Sequence, residues 1–77
     1  MLFYKFEFKY KDKKLYVYSY SKIIKFKAEE IIIEYELGNL SVKGNKIIIQ
    51  ELFKEYLVIN GDIKEISLIK DFNNDRS

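Results

Sequence analysis

Apolar and polar residues alternate along most of this chain with a period of two, the repeat of a strand that buries one face. In "LFYKFEFKY", Leu2, Tyr4, Phe6, Phe8 and Tyr10 fall on one side, and Lys5, Glu7 and Lys9 on the other. The polar "KDKK" (11–14) reverses the chain. "KLYVYSY" then sets Leu15 and Val17 against Tyr16, Tyr18 and Tyr20. "KIIKFK" pairs Ile24 with Phe26, and "EEIIIEYEL" turns Ile31, Ile33, Tyr35 and Leu37 inward. The alternation resumes with Leu40 and Val42, then Ile47 and Ile49, then Leu57 and Ile59, then Ile66 and Leu68, which leave Ile63 and Ile69 on the opposite face. β-branched and aromatic side chains of this kind suit a pleated, half-buried surface.

Three glycines punctuate the second half, each followed by Asn or Asp: Gly38-Asn39, Gly44-Asn45 and Gly61-Asp62. As two-residue loops they predict hairpin turns of type I′ or II′, where positive φ matches the twist of the strands. Only "QELFKEYL" (50–57) has helical spacing, with Phe53 and Leu57 four apart. It is too short to hold a helix alone and predicts one turn at most. The pattern therefore predicts a single all-β domain over residues 1–70, of seven or eight short, mostly antiparallel strands. Such a meander closes into a small barrel or folds into a sandwich, with a short β-solenoid as the alternative. The polar "DFNNDRS" (71–77) reads as a flexible C-terminal tail.

Composition narrows the chemistry. With 77 residues, 48 % of them hydrophobic, there is material for one core and a thin stability margin. Shared apolar surface in a homo-oligomer would supplement it. No cysteine and no histidine occur, which removes disulfides, thiolate metal sites and the commonest general base. The absence of cysteine fits a reducing compartment. The first residues carry Lys5, Glu7 and Lys9 among their apolar positions and so lack a continuous signal-peptide core. No apolar run has the length of a bilayer-spanning helix. The chain reads as a cytoplasmic protein.

Charge and aromatics are unevenly spread. Residues 1–27 hold eight lysines against Glu7 and Asp12, a net +6, while residues 28–77 hold six bases against ten acids, a net −4. Nine of the thirteen aromatic residues also lie in the first 27. Tyr16, Tyr18 and Tyr20 form a row suited to an interaction surface, since tyrosine is favoured where one face of a ring is wet. Lys5, Lys9, Lys11, Lys13 and Lys14, standing beside Tyr4, Tyr10, Tyr16, Tyr18 and Tyr20, also fit a single-stranded nucleic acid, which asks for cations along the backbone and rings under the bases. If Lys9, Lys11, Lys13 and Lys14 share a face with the tyrosines, that alternative gains. Against it, the expected basic footprint covers only half of the chain.

Other chemistry is weaker. The spacing of Gly38 and Gly44 suggests a phosphate-cradling loop, but such a loop needs a hydroxyl after its lysine and a helix to follow. Here Lys46 is followed by Ile47-Ile48-Ile49, a strand former. The carboxylates Glu29, Glu30, Glu34, Glu36, Glu51, Glu55 and Glu65 sit at outward strand positions and read as a solvated face, since catalytic carboxylates need partial burial. No catalytic residue, metal ligand or cofactor is predicted, and no small-molecule substrate.

One stretch carries a family likeness. A strand ends in Leu37-Gly38, passes through "LSVKGN" and "KIIIQEL", and closes with "LVINGDIKEISLI". This order, with the preceding "SKIIKF" and "AEEIIIEYE", resembles the YabP/YqfC family of sporulation proteins over about residues 13–69. The resemblance implies a small non-enzymatic β scaffold or adaptor of endospore-forming bacteria, made in the mother cell and linked to spore coat or cortex assembly. Family members are encoded beside integral-membrane sporulation proteins, so the resemblance adds a membrane-protein partner, and a site peripheral to the forespore membrane, to the expected self-association.

Overall fold

The computed structural model describes residues 7–36 and 38–70. The inward positions expected at Leu2, Tyr4, Phe6 and Leu37, and the tail over 71–77, lie outside them. The described chain is all-β. Its six strands are β1 (Glu7–Lys11), β2 (Lys14–Tyr18), β3 (Lys22–Phe26), β4 (Glu30–Tyr35), β5 (Gly38–Leu52) and β6 (Tyr56–Lys70). All pairings are antiparallel, in one sheet of order β1-β2-β6-β5-β4-β3.

Among the described residues the strand count is six rather than seven or eight, because two of the glycine turn signals bend strands rather than end them. β5 and β6 are fifteen residues each. Gly44-Asn45 lies inside β5 and Gly61-Asp62 inside β6, where Gly44 faces Ile63 and Asn45 faces Asp62. Gly38-Asn39 is also strand: Gly38 pairs with Tyr35 on β4 and with Lys70 on β6. The two-residue turn with both φ positive is instead Asp12-Lys13, at φ 54° and 64°, in the "KDKK" reversal between β1 and β2. Residues 50–57 hold no helix: Phe53 N–H donates to the Tyr56 carbonyl at 2.8 Å and closes the β5–β6 hairpin.

Bulges do at the bend what turns were expected to do. The register slips between Lys43 and Gly44 and again between Asn45 and Ile48. An extra residue in one strand exchanges the two faces of everything beyond it. Inward residues on β5 therefore pass from Leu40 and Val42 to Ile47 and Ile49, and on β6 from Leu57 and Ile59 to Ile66. The close approach requires glycine. A Cβ on Gly44 would lie 2.2 Å from the Asp62 carbonyl oxygen, and one on Gly61 (φ +133°) would lie 2.7 Å from Ile47 Cα. The 27–30 turn satisfies the donors that the bulge frees: Gly44 N–H donates to Glu29 O at 3.0 Å and Ile47 N–H to Ala28 O at 2.9 Å.

With both long strands bent at one place, the sheet folds over itself. The half built on β1, β2 and the β5–β6 hairpin covers the half built on β3, β4 and the other ends of β5 and β6. Leu15, Val17, Leu57, Ile59 and Ile47 from the first half and Ile31, Ile33, Tyr35, Leu40 and Val42 from the second form one buried cluster. Tyr35 ties the layers: its hydroxyl donates to the Glu7 carbonyl at 3.0 Å, although β2, β6 and β5 lie between β4 and β1 in the sheet. Burial and the nearby Glu7 charge push the Tyr35 pKa up to about 12.

Candidate interaction surfaces

The two sheet edges are β1 and β3. On β3 the register slips between Ile23 and Lys25, so Ile23 packs on the core while Ile24 and Phe26 stand 49 % and 56 % exposed. The pair expected to share the buried side is thus left at the edge. The lysines of this edge are engaged by their own sheet: Lys25 Nζ donates to Glu30 Oε1 at 2.8 Å, and Lys22 lies 3.9 Å from Glu34. Glu30 also accepts from Ser41 Oγ at 3.3 Å. The hydrogen bond from Lys25, with its charge and the Ser41 bond, holds the Glu30 carboxyl below the ordinary carboxylate range. That ionised group anchors an ion pair rather than serving acid–base work. Glu29, Glu36, Glu51, Glu55 and Glu65 are all exposed.

The outer face of the first half is built differently. Since Phe8, Leu15, Val17, Leu57, Ile59, Ile47 and Ile49 point inward, the residues between them point out. The registers arrange these in three cross-strand rows. Lys11 faces Lys14, which faces Asn60, which faces Ile48. Lys9 faces Tyr16, which faces Val58, which faces Glu51. Glu7 faces Tyr18, which faces Tyr56. The last row continues into Phe53, with ring centroids 5.9 Å apart for Tyr18–Tyr56 and 5.0 Å for Tyr56–Phe53. Val58 sits at the centre of this face at 2 % exposure, between Tyr16 and Glu51. The Asn60 amide donates to Gln50 Oε1 at 2.9 Å beside it.

The predicted tyrosine row is broken in one place. Tyr16 and Tyr18 share the outer face, but Ser19 takes φ 58° and swings Tyr20 against the core, where its hydroxyl donates to the Phe53 carbonyl at 2.7 Å. Lys9, Lys11 and Lys14 do share the face of Tyr16 and Tyr18. Tyr56, Val58 and Phe53 were missing from the sequence reading. The parity of Tyr56 and Val58 against Leu57 and Ile59 placed those two outward, but only the pairing of β6 with β2 brings them beside the tyrosines, and Phe53 joins them through its ring contact with Tyr56 rather than by parity. Gly44 and Gly61 are bend residues. Beside the bend, a groove of about 340 Å³ is lined by Tyr10, Lys13, Asn60, Gly61, Asp62 and Ile63. Among the described residues no acidic cluster could hold a metal ion, and no helix is long and apolar enough to cross a membrane.

A model of the YabP family matches residues 10–74, which include β2 to β6 entire. No curated protein and no solved structure matches the chain.

Proposed function

Since the chain belongs to the YabP family and is a sporulation-related protein, we propose that it works without catalysis, as a small self-associating scaffold in spore coat or cortex assembly. On this reading it acts in the mother cell and docks to a membrane sporulation protein. One observation carries the assembly role. Among the described residues β3 pairs on one side only, with β4, and it presents Ile24 and Phe26 to solvent. Such an edge invites a strand from another chain. Edge lysines normally oppose that pairing, but Lys22 and Lys25 are matched by Glu34 and Glu30 of the neighbouring strand.

Light scattering coupled to gel filtration tests the proposal. The purified chain is expected to associate at micromolar concentration, and the double variant Ile24→Lys/Phe26→Lys to run as a monomer with an unchanged circular dichroism spectrum. A wild-type monomer at high micromolar concentration would overturn self-association. A dimer indifferent to the double variant would move the contact away from β3.

A further inference from the structure

The three-row face lies on the other half of the sheet from β3, and the scaffold reading does not use it. We propose that it is a binding platform for single-stranded nucleic acid, with Tyr16, Tyr18 and Tyr56 under the bases and Lys9, Lys11 and Lys14 along the phosphates.

Two features are needed for such a site, and the folded sheet puts them together. Open aromatic rings give every base a stacking partner, and cations beside them track the backbone. A sheet face carrying aromatic side chains on adjacent strands is a known way of displaying single-stranded bases. Here Tyr16 and Tyr18 are two residues apart on β2, about 7 Å along the strand. That is roughly twice the 3.4 Å step of a stacked nucleic-acid strand, so successive bases of an unstacked strand can each meet a ring. Tyr56 lies across from Tyr18 and extends the platform to β6. The lysines occupy one flank: Lys9 is directly opposite Tyr16, and Lys11 directly opposite Lys14. The acids on the face, Glu7 and Glu51, lie at the ends of their rows and leave the Lys9–Lys11–Lys14 flank as the path for phosphates.

The centre of the face suits a nucleic acid better than a bilayer. Insertion into a membrane surface asks for protruding apolar anchors. At the centre of the face Val58 is 2 % exposed and Tyr16, Tyr18 and Tyr56 lie half-buried on the sheet, while the exposed apolar residues Ile48 and Phe53 stand at the far ends of their rows, away from the lysines, so the vesicle arm of the test below decides between the two ligands.

Fluorescence anisotropy on the full chain, with fluorescein-labelled oligothymidine and oligouridine at low salt, tests the platform. Saturable binding is expected. Its affinity should fall with added salt with a log–log slope of about −2, from roughly 0.7 per phosphate neutralised on a single strand and three lysines. Tyr16→Leu, which keeps Val58 covered but removes the ring, should weaken binding about tenfold, and Tyr16→Phe should preserve it. Lys9→Gln/Lys14→Gln should flatten the salt slope, while Lys43→Gln on the other half should leave it unchanged. The relative affinity for the two oligomers assigns the platform to DNA or RNA. No anisotropy change at low salt, wild-type affinity in Tyr16→Leu, or retention only by vesicles of anionic phosphatidylglycerol would each overturn the proposal. The oligomeric state of the β3-edge variant does not bear on any of these outcomes.

Discussion

Replacing Gly44 by alanine tests the bent-strand architecture most directly. The added Cβ would lie 2.2 Å from the Asp62 carbonyl oxygen, where ordinary contact begins at 3.4 Å, so β5 and β6 must separate by about 1.2 Å. They cannot do so freely. Gly44 N–H is held by Glu29 O at 3.0 Å and Ile47 N–H by Ala28 O at 2.9 Å, and both bonds depend on the shape of the bulge. Overpacking of this kind costs about 1–3 kcal/mol, and one weakened buried hydrogen bond adds about 1 kcal/mol. We therefore expect a loss of about 3 kcal/mol. At about 0.05–0.15 kcal/mol per residue, a chain of 77 residues holds about 4–12 kcal/mol in all, so the loss is a large share. Urea unfolding followed by circular dichroism reads it. With a slope of about 1 kcal/mol per molar for a small domain, the midpoint should fall by up to about 3 M. Asn45→Ala is the control. In a bulge the exposed Asn45 side chain matters little, whereas in a two-residue turn it would matter as much as the glycine. A shift below about 0.5 M for Gly44→Ala, or an equal shift for Asn45→Ala, would refute the close approach of the two strands.

Further outcomes follow from the core and its polar ties. Leu40→Ala, at a fully buried position, should cost about 2–5 kcal/mol, while Ile48→Ala, at 52 % exposure, should stay within about 0.5 kcal/mol by the same denaturation assay. Tyr35→Phe removes the hydroxyl that joins β4 to β1 and should cost about 1 kcal/mol near neutral pH. Because the Tyr35 pKa is raised from 10.0 to about 12 in the fold, its contribution is complete below pH 10 and is lost as pH rises towards 12, so the wild type should lose stability across that window and Tyr35→Phe should lose less. Glu30 has the opposite sign. Its pKa is lowered from 4.5, so the stability it contributes is present above that value and fades as pH falls below it, and Glu30→Gln should flatten this acid limb in a pH series of urea midpoints.

The strand period, most of the inward residues and the reversal at Asp12-Lys13 were legible in the sequence, because side-chain alternation and turn chemistry are local properties. Against their parity, Ile24, Phe26 and Leu68 are exposed and Ile63 packs on the core, the register slipping beside Ile24 and beside Ile63. Leu15, Val17, Ile31, Ile33, Tyr35, Leu40, Val42, Ile47, Leu57 and Ile59 carry the core as the alternation predicts. The family was legible too, in the order of strands and glycines that the YabP model matches. Even the exchange of faces between Val42 and Ile47 was visible as a change of parity. What the sequence left open was the device that makes the exchange. A glycine followed by asparagine can end a strand or bend one, and both flip the parity downstream. Only the long-range pairing of β5 with β6 selects the bulge, because the two strands cross there too closely for any Cβ. The same cause hid the lysine–tyrosine platform: its rows are assembled across β1, β2 and β6, and β6 reaches β2 only after the sheet has folded on its bend. Local residues fixed which side each chain segment hides, and the tertiary fold decided which exposed sides stand next to one another.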